Sequence, residues 1–183
     1  MPVPYQRREQ RGGTPYSAGY IDVIWLSPAR TFFGGLLLID RTGQPYEFVH
    51  NKLEAPSGFL WPAEQVRRMG VAALCHSLFE ACRREPELLV CRESLGPPEY
   101  CKTEIAPSVP FAQVSPPRDG TPATWTWVND PPRPAMPAQA LAEALQTCGL
   151  MLEPFERIRL GLREVYPQAP WEAAPDDRVG RAS

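Results

Sequence analysis

The segment FFGGLLLIDRTGQPYEFV, residues 32–49, decides the fold that we expect for this chain. Its apolar half, FFGGLLLI, has the length and composition of a buried strand. The stretch DRTGQP then reverses the chain, and Gly43 is the residue there that can take a positive φ. The stretch YEFVHN alternates large apolar with polar side chains, which indicates a more exposed strand antiparallel to the first. The segment therefore predicts a hairpin.

The elements on either side of this hairpin predict a mixed sheet. Residues 20–26, YIDVIWL, are β-branched and aromatic and predict a strand that precedes the hairpin. Residues 62–86 have helical apolar spacing, with Pro62 suited to the first turn and Pro86 ending the helix. The apolar stretch ELLVCRES, residues 87–94, follows as a fourth strand. A helix between strands implies a crossover, so we expect this strand to pair in parallel with an earlier one.

The rest of the chain predicts short extended pieces followed by two helices. SVPFAQVS and ATWTWVND indicate extended pieces, with Trp125 and Trp127 on one packed face. MPAQALAEALQTCG and EPFERIRLGLREVYP indicate the helices. We expect a flexible N-terminal arm at 1–18, a single α/β domain at 19–167 with a proline-rich excursion at 97–137, and a disordered tail at 168–183.

Composition excludes several classes of protein. The formal net charge of −2 gives no global basic field for nucleic acid or anionic lipid, although a local patch is compatible with it. No apolar run approaches the roughly 20 residues that span a bilayer, and the N-terminus has no secretory pattern, so we expect a cytoplasmic protein with no membrane partner. The five cysteines contain no Cys-x-x-Cys pair, and we expect Cys75, Cys82 and Cys91 to be buried and reduced.

The order of elements from residue 19 to 94, three antiparallel strands, a helix and a returning strand, resembles the ribonuclease H-like superfamily. The resemblance implies an α/β fold with a mixed sheet, a crossover helix, a parallel fourth strand and C-terminal helices. It also implies that active members hold two divalent cations with carboxylates. These come from the first strand, the first helix, the end of the fourth strand and a late helix. Two such ions stabilise the attacking and leaving oxygens of a phosphodiester displacement.

Acidic residues stand at each of these places. Asp22 lies within the first strand, where an unpaired carboxylate is costly, and Glu93 ends the fourth strand. The first helix offers Glu64 or Glu80, and the last helix offers Glu153 or Glu156. The resemblance thus implies a catalytic set of Asp22, Glu93 and Glu64, and a metal set of Asp22, Glu93 and Glu156. A plain structural interpretation stays open, because Glu64 would complement a helix dipole and Asp22 would be satisfied by an arginine.

Two functional hypotheses follow. The first is a non-catalytic or degenerate module without a cofactor, which binds a protein partner through the proline-rich excursion. The alternative is a nuclease dependent on Mg²⁺ or Mn²⁺ that cleaves DNA or RNA. It requires Asp22 and Glu93 to converge, and in that case Asp22→Asn would leave stability equal or higher because a repulsive acid cluster is relieved. Its nucleic acid would be bound by a local basic patch of Arg157, Arg159, Arg163, Arg67 and Arg68.

Overall fold

A six-stranded mixed sheet runs through the part of the chain that the computed structural model describes, which is residues 16–27, 29–55, 61–95, 109–118, 120–128 and 130–173. Two short 3₁₀ turns, Glu93–Leu95 and Trp171–Ala173, accompany its strands and helices. In chain order the main elements are β1 (Ala18–Leu26), β2 (Thr31–Ile39), β3 (Pro45–Glu54), α1 (Ala63–Ala81), β4 (Leu88–Arg92), β5 (Phe111–Ser115), β6 (Thr124–Trp127), α2 (Pro137–Thr147) and α3 (Glu153–Val165).

The sheet has the strand order β3-β2-β1-β4-β5-β6. β1 and β3 are both antiparallel to β2, β4 runs parallel to β1, β5 runs parallel to β4, and β6 is antiparallel to β5. The crossover through α1 explains the parallel pairing, because a chain that must return in the same direction needs a long connection. The predicted fold class is confirmed, including the three antiparallel strands and the parallel fourth strand.

The two adjacent glycines of β2 admit helices to opposite faces of the sheet. Successive residues of a strand point to opposite sides. A Cβ at Gly34 would lie 2.7 Å from Cδ2 of Leu74 on α1, and a Cβ at Gly35 would lie 2.6 Å from Cγ2 of Ile158 on α3. Both distances are below any ordinary contact. The absence of two side chains therefore allows both helices to approach the central strands closely.

Each face of the sheet is covered by its own apolar cluster. On one face, residues of α1 such as Leu74 and Leu78 pack with Ile21 and Phe32. On the other face, Leu145 of α2 and Phe155 and Ile158 of α3 pack against the sheet. The strand residues that they meet include Tyr20 and Phe33. Burial on both faces explains why β2 is apolar from Phe32 to Ile39, since neither set of alternating side chains meets water.

The turn between β2 and β3 is held by one carboxylate. Oδ1 of Asp40 accepts hydrogen bonds from the Thr42 backbone N–H at 2.7 Å, the Thr42 hydroxyl at 2.6 Å and the Gln44 N–H at 2.9 Å. Gly43 follows with a φ of 86°, as the sequence predicts. Slight burial raises the pKa of Asp40, but hydrogen bonds from Thr42, Gln44 and Gly43 outweigh it and hold that pKa below its ordinary value.

Several predicted boundaries differ from the structure, among them the end of α1, which was predicted at Pro86 and lies at Ala81. The proline-rich excursion at 97–137 contains β5 and β6, and Trp125 and Trp127 pack against the α2 and α3 side of the core as expected. Within the tail predicted from residue 168, Trp171 packs on Phe33 with ring centroids 4.9 Å apart. Apolar contact of Trp171 with the core orders this stretch. The remaining expectations for the arm at 1–15, the excursion at 96–108 and the tail at 174–183 lie outside the described residues.

The cysteines of the described residues are free thiols. Cys75, Cys82 and Cys91 are buried, as predicted, while Cys148 is exposed. Burial raises the pKa of Cys82 to about 11. Within the same residues no helix is both long and apolar enough to cross a bilayer.

Candidate functional site

Asp22 is a buried carboxylate at the centre of the sheet. It lies within β1, on the side of the sheet that carries α3, because the Tyr20 ring two residues earlier packs on Phe155 with centroids 5.1 Å apart. The parallel register pairs Ile21 with Cys91, so the next position along β4 is its final residue, Arg92. Asp22 is 3% exposed and therefore lies beside the carboxyl end of a parallel strand with almost no contact with water.

Two arginines face this carboxylate. Oδ2 of Asp22 lies 3.8 Å from Nε of Arg92 and accepts a hydrogen bond from Nε of Arg159 at 3.3 Å. Nη2 of Arg92 also donates to Oε1 of Glu156 at 2.7 Å. Glu156 and Arg159 are three residues apart on α3 and are therefore neighbours on its surface. We call these four residues, Asp22, Arg92, Glu156 and Arg159, the Asp22 cluster.

The cluster is a charge-balanced network that is buried at one end and exposed to solvent at the other. Two carboxylates and two guanidinium groups give it a formal charge of zero. The side chains of Asp22 and Arg92 are 4% and 8% exposed, whereas that of Glu156 is 61% exposed. The Arg92 guanidinium is further held over the ring of Phe155, 4.9 Å from its centroid. Burial of a charge is costly unless it is paired, so each inner charge depends on the other.

The other predicted acids have partners of their own. Glu93 begins the 3₁₀ turn after β4 and pairs with Arg118 at 3.0 Å. Glu64 is in the first turn of α1, where it complements the helix dipole. Glu153 pairs with Arg157 at 2.6 Å. Of the predicted metal set, Asp22 and Glu156 both contact Arg92, and Glu93 pairs with Arg118.

These residues do not fit the pair of divalent cations that the superfamily resemblance implies. A cation would have to approach Asp22 where two guanidinium groups already face its outer oxygen, and like charges repel in such a site. Among the described residues, no group of three or more His, Cys, Asp or Glu side chains could hold a metal ion. We therefore assign no metal ligand in the described part of the chain and derive no step through a metal.

The predicted basic patch is divided between the two faces of the sheet. Arg67 and Arg68 are carried by α1, and Arg67 donates to the Ser94 carbonyl at 3.2 Å. The other three arginines are carried by α3, on the opposite side. Of these, Arg157 is engaged by Glu153 and by the Gly43 carbonyl, both at 2.6 Å.

Only Arg159 among the five predicted arginines belongs to the Asp22 cluster. Arg92, the innermost cation of the cluster, was missed from the sequence. The sequence did contain an indication of its role. Arg92 is a charged residue at the end of an apolar strand, and that strand belongs to the same sheet as a strand-interior aspartate.

The protein resembles known proteins in fold and not in sequence. No protein-family model matches it, and no curated protein sequence matches it. It is similar to the crystal structure of Endonuclease V from Streptomyces avermitilis, with a TM-score of 0.50 and 13% identity, over 79% of this chain and 86% of that one. The Bacillus subtilis Endonuclease V gives a TM-score of 0.41 at 10% identity, over 57% of this chain and 45% of that one.

The Argonaute of Marinitoga piezophila, in complex with a guide RNA, gives a TM-score of 0.33 at 14% identity. That match covers 55% of this chain and 16% of the Argonaute. The chain thus spans less than half the length of the Bacillus subtilis protein and a small part of the Argonaute.

The fold comparison corrects one expectation. We expected no cofactor from the first functional hypothesis, but the chain shares its fold with a solved Endonuclease V, which gives that expectation no support. That expectation is withdrawn. The strand order, the parallel pairing of β1 with β4 and the similarity to a solved Endonuclease V together identify the fold of this chain as ribonuclease H-like.

Proposed function

We propose that this protein is a nuclease-type protein that binds nucleic acid. It contacts the phosphodiester backbone of DNA or RNA at the Asp22 cluster. The observation that carries the proposal is the position of Asp22, a buried aspartate within β1 beside the carboxyl end of β4. In open α/β sheets, ligands bind outside the carboxyl ends of the strands. In the active members of the superfamily, a first-strand aspartate is a working residue at this place.

The chemistry of the cluster supports a phosphate-bearing ligand. Arg92 and Arg159 present guanidinium groups, whose planar array of donors matches the oxygens of a phosphate. They lie beside the carboxyl end of β4 and are held in place by Asp22. A site with positioned arginines binds the backbone of a nucleic acid even though the net charge of the whole chain is −2.

The similarity to Endonuclease V favours the nuclease hypothesis over the hypothesis of a non-catalytic partner-binding subunit. The solved structure that matches over 79% of this chain is an Endonuclease V. The partner-binding hypothesis rests on the excursion at 97–137, part of which lies outside the described residues. It stays a prediction without a structural observation in its favour.

The binding test uses the full chain and labelled single-stranded DNA, duplex DNA, single-stranded RNA and RNA–DNA hybrid. Affinity is measured by fluorescence anisotropy at about 50 mM and 200 mM salt, because backbone binding weakens steeply over that range. Cleavage of the same probes is followed on denaturing gels, in buffers with and without divalent cations. We expect at least one probe to bind with a clear salt dependence, and the gels decide whether the bound probe is also cut.

Two matched variants locate the interface. Arg159→Gln removes a cation of the Asp22 cluster, whereas Arg163→Gln removes the same charge one turn further along α3. We expect Arg159→Gln to weaken binding about tenfold and Arg163→Gln to weaken it by less than about twofold. Equal losses of affinity in the two variants would show that α3 contributes only a general electrostatic attraction and no specific contact. The absence of binding to all four probes at low salt would refute the proposed function.

A further inference from the structure

The Asp22 cluster contains one ion pair that differs from the others in its exposure. Glu156 reaches Arg92 from the solvent side, with its own side chain 61% exposed and that of Arg92 only 8% exposed. The remaining contacts of Arg92 in the cluster, to Asp22 and to the ring of Phe155, are made on its inner sides. Glu156 is thus the outer anion on a cation that is otherwise embedded in protein.

The Arg92 guanidinium is fixed in position before any ligand arrives. Its backbone belongs to β4 in the middle of the sheet, its planar group lies 4.9 Å from the Phe155 centroid, and Nε lies 3.8 Å from the Asp22 carboxylate. The Glu156 side chain, which accepts from Nη2 of Arg92, is held less firmly. Glu156 stands in the first turn of α3 and, being mostly in water, loses little when it swings away.

We infer that Glu156 occupies, on Nη2 of Arg92, the place of a phosphate group of the nucleic acid. A carboxylate and a phosphate present the same pattern of acceptor oxygens to a guanidinium group. When a phosphodiester reaches the edge of the sheet, its oxygen replaces Oε1 of Glu156 on Arg92, and the freed carboxylate turns to solvent. Asp22 stays in place and keeps both arginines oriented. Glu156 therefore weakens binding by competing for Arg92, and this inference rests on the proposed function.

The geometry also sets the ligand class. Arg92 lies at the carboxyl end of β4 and Arg159 on α3, and both approach the same Asp22 oxygen from different elements. The outer side of this pair of cations suits one phosphate that contacts both. This pair of arginines would contact the phosphate and not a base edge, so the contact carries no sequence information. The expected ligand is a nucleic-acid backbone with little sequence preference at this position.

Two matched substitutions test the competition. Glu156→Gln and Glu153→Gln each remove one negative charge from the first turn of α3, but Glu153 pairs with Arg157, outside the cluster. We expect Glu156→Gln to tighten the binding of a labelled single-stranded oligonucleotide about three- to fivefold, which is the strength of an exposed ion pair. Glu153→Gln should tighten it by less than about twofold, through the general field alone.

A second probe separates this inference from the proposed function. Inorganic phosphate is titrated into each variant, and the rise in midpoint temperature is recorded, since a ligand that binds the folded state raises it. Glu156→Gln should show a larger rise than both Glu153→Gln and the wild type. If nucleic acid binds the wild type but the two variants respond alike to both probes, the inference is overturned while the proposed function stands. If no nucleic acid binds but phosphate stabilises Glu156→Gln selectively, the proposed function fails while the phosphate place on Arg92 stands.

Discussion

Replacement of Asp22 by Asn tests whether this carboxylate is held by arginines or belongs to an acidic metal site. The change removes the charge at a position that is 3% exposed, next to Arg92, which is 7% exposed. Removing one partner of a buried ion pair costs about 3–5 kcal/mol. Arg92 keeps Glu156 and Arg159 is partly solvated, so we expect the lower part of that range or slightly below, about 2–3 kcal/mol. For a chain of this size this lowers the midpoint temperature by roughly 4–12 °C.

The assay is equilibrium unfolding in urea, followed by fluorescence and circular dichroism and checked by calorimetry. Glu93→Gln serves as the control, because it removes the same charge from an exposed pair with Arg118 and should change stability by less than about 0.5 kcal/mol. A cluster of repelling acids predicts the opposite result, since relief of repulsion leaves Asp22→Asn equally stable or more stable. An unchanged or raised unfolding midpoint for Asp22→Asn would therefore refute the ion-pair network described above.

Two further predictions concern the sheet and its hairpin. Gly34→Ala and Gly35→Ala should each destabilise by about 1–3 kcal/mol, because the new methyl group meets Leu74 or Ile158, and urea midpoints measured on both variants check this. The pKa of Asp40 is lowered in the folded state, so its contribution to stability is complete above the unfolded pKa of about 3.9 and is lost as pH falls through the folded value. Asp40→Ala should remove this acid-side dependence and, because the turn is largely exposed, cost less than about 1 kcal/mol near neutral pH; equal pH slopes for variant and wild type would contradict it.

Local patterns were sufficient to predict the strands and helices that frame the site. The apolar run of β2, the turn at Gly43 and the proline at the start of α1 each specify their structure within a few residues. The parallel direction of β4 also followed, because a helix between two strands restricts their direction, whereas its place beside β1 was implied by the superfamily resemblance. The strands within the proline-rich stretch were harder to bound, since β5 and β6 are short and their ends depend on pairing with β4.

The partners of Asp22 could not be predicted in the same way. The sequence shows that a strand-interior aspartate must be paired or functional, but it does not show which choice the fold makes. Arg159 is 137 residues away from Asp22 in the chain and reaches it only because α3 packs across β1. The approach of α3 in turn depends on Gly35, which leaves room for Ile158. The character of the site is thus fixed by long-range packing.

The position of β3 at the end of the sheet has a consequence for self-association during folding. A ten-residue edge strand presents a row of backbone donors and acceptors, which is a template for pairing with another chain. In this strand the stretch of His50, Asn51 and Lys52 is exposed, and the pairing of β2 with β3 shifts register at Leu38 and Ile39. A charged lysine and an irregular edge both disfavour a further flat strand. The outer strand β3 thereby disfavours self-association of the sheet. Its inner neighbour β2 is covered by β3 and can therefore be as apolar as its packing against the two helices requires.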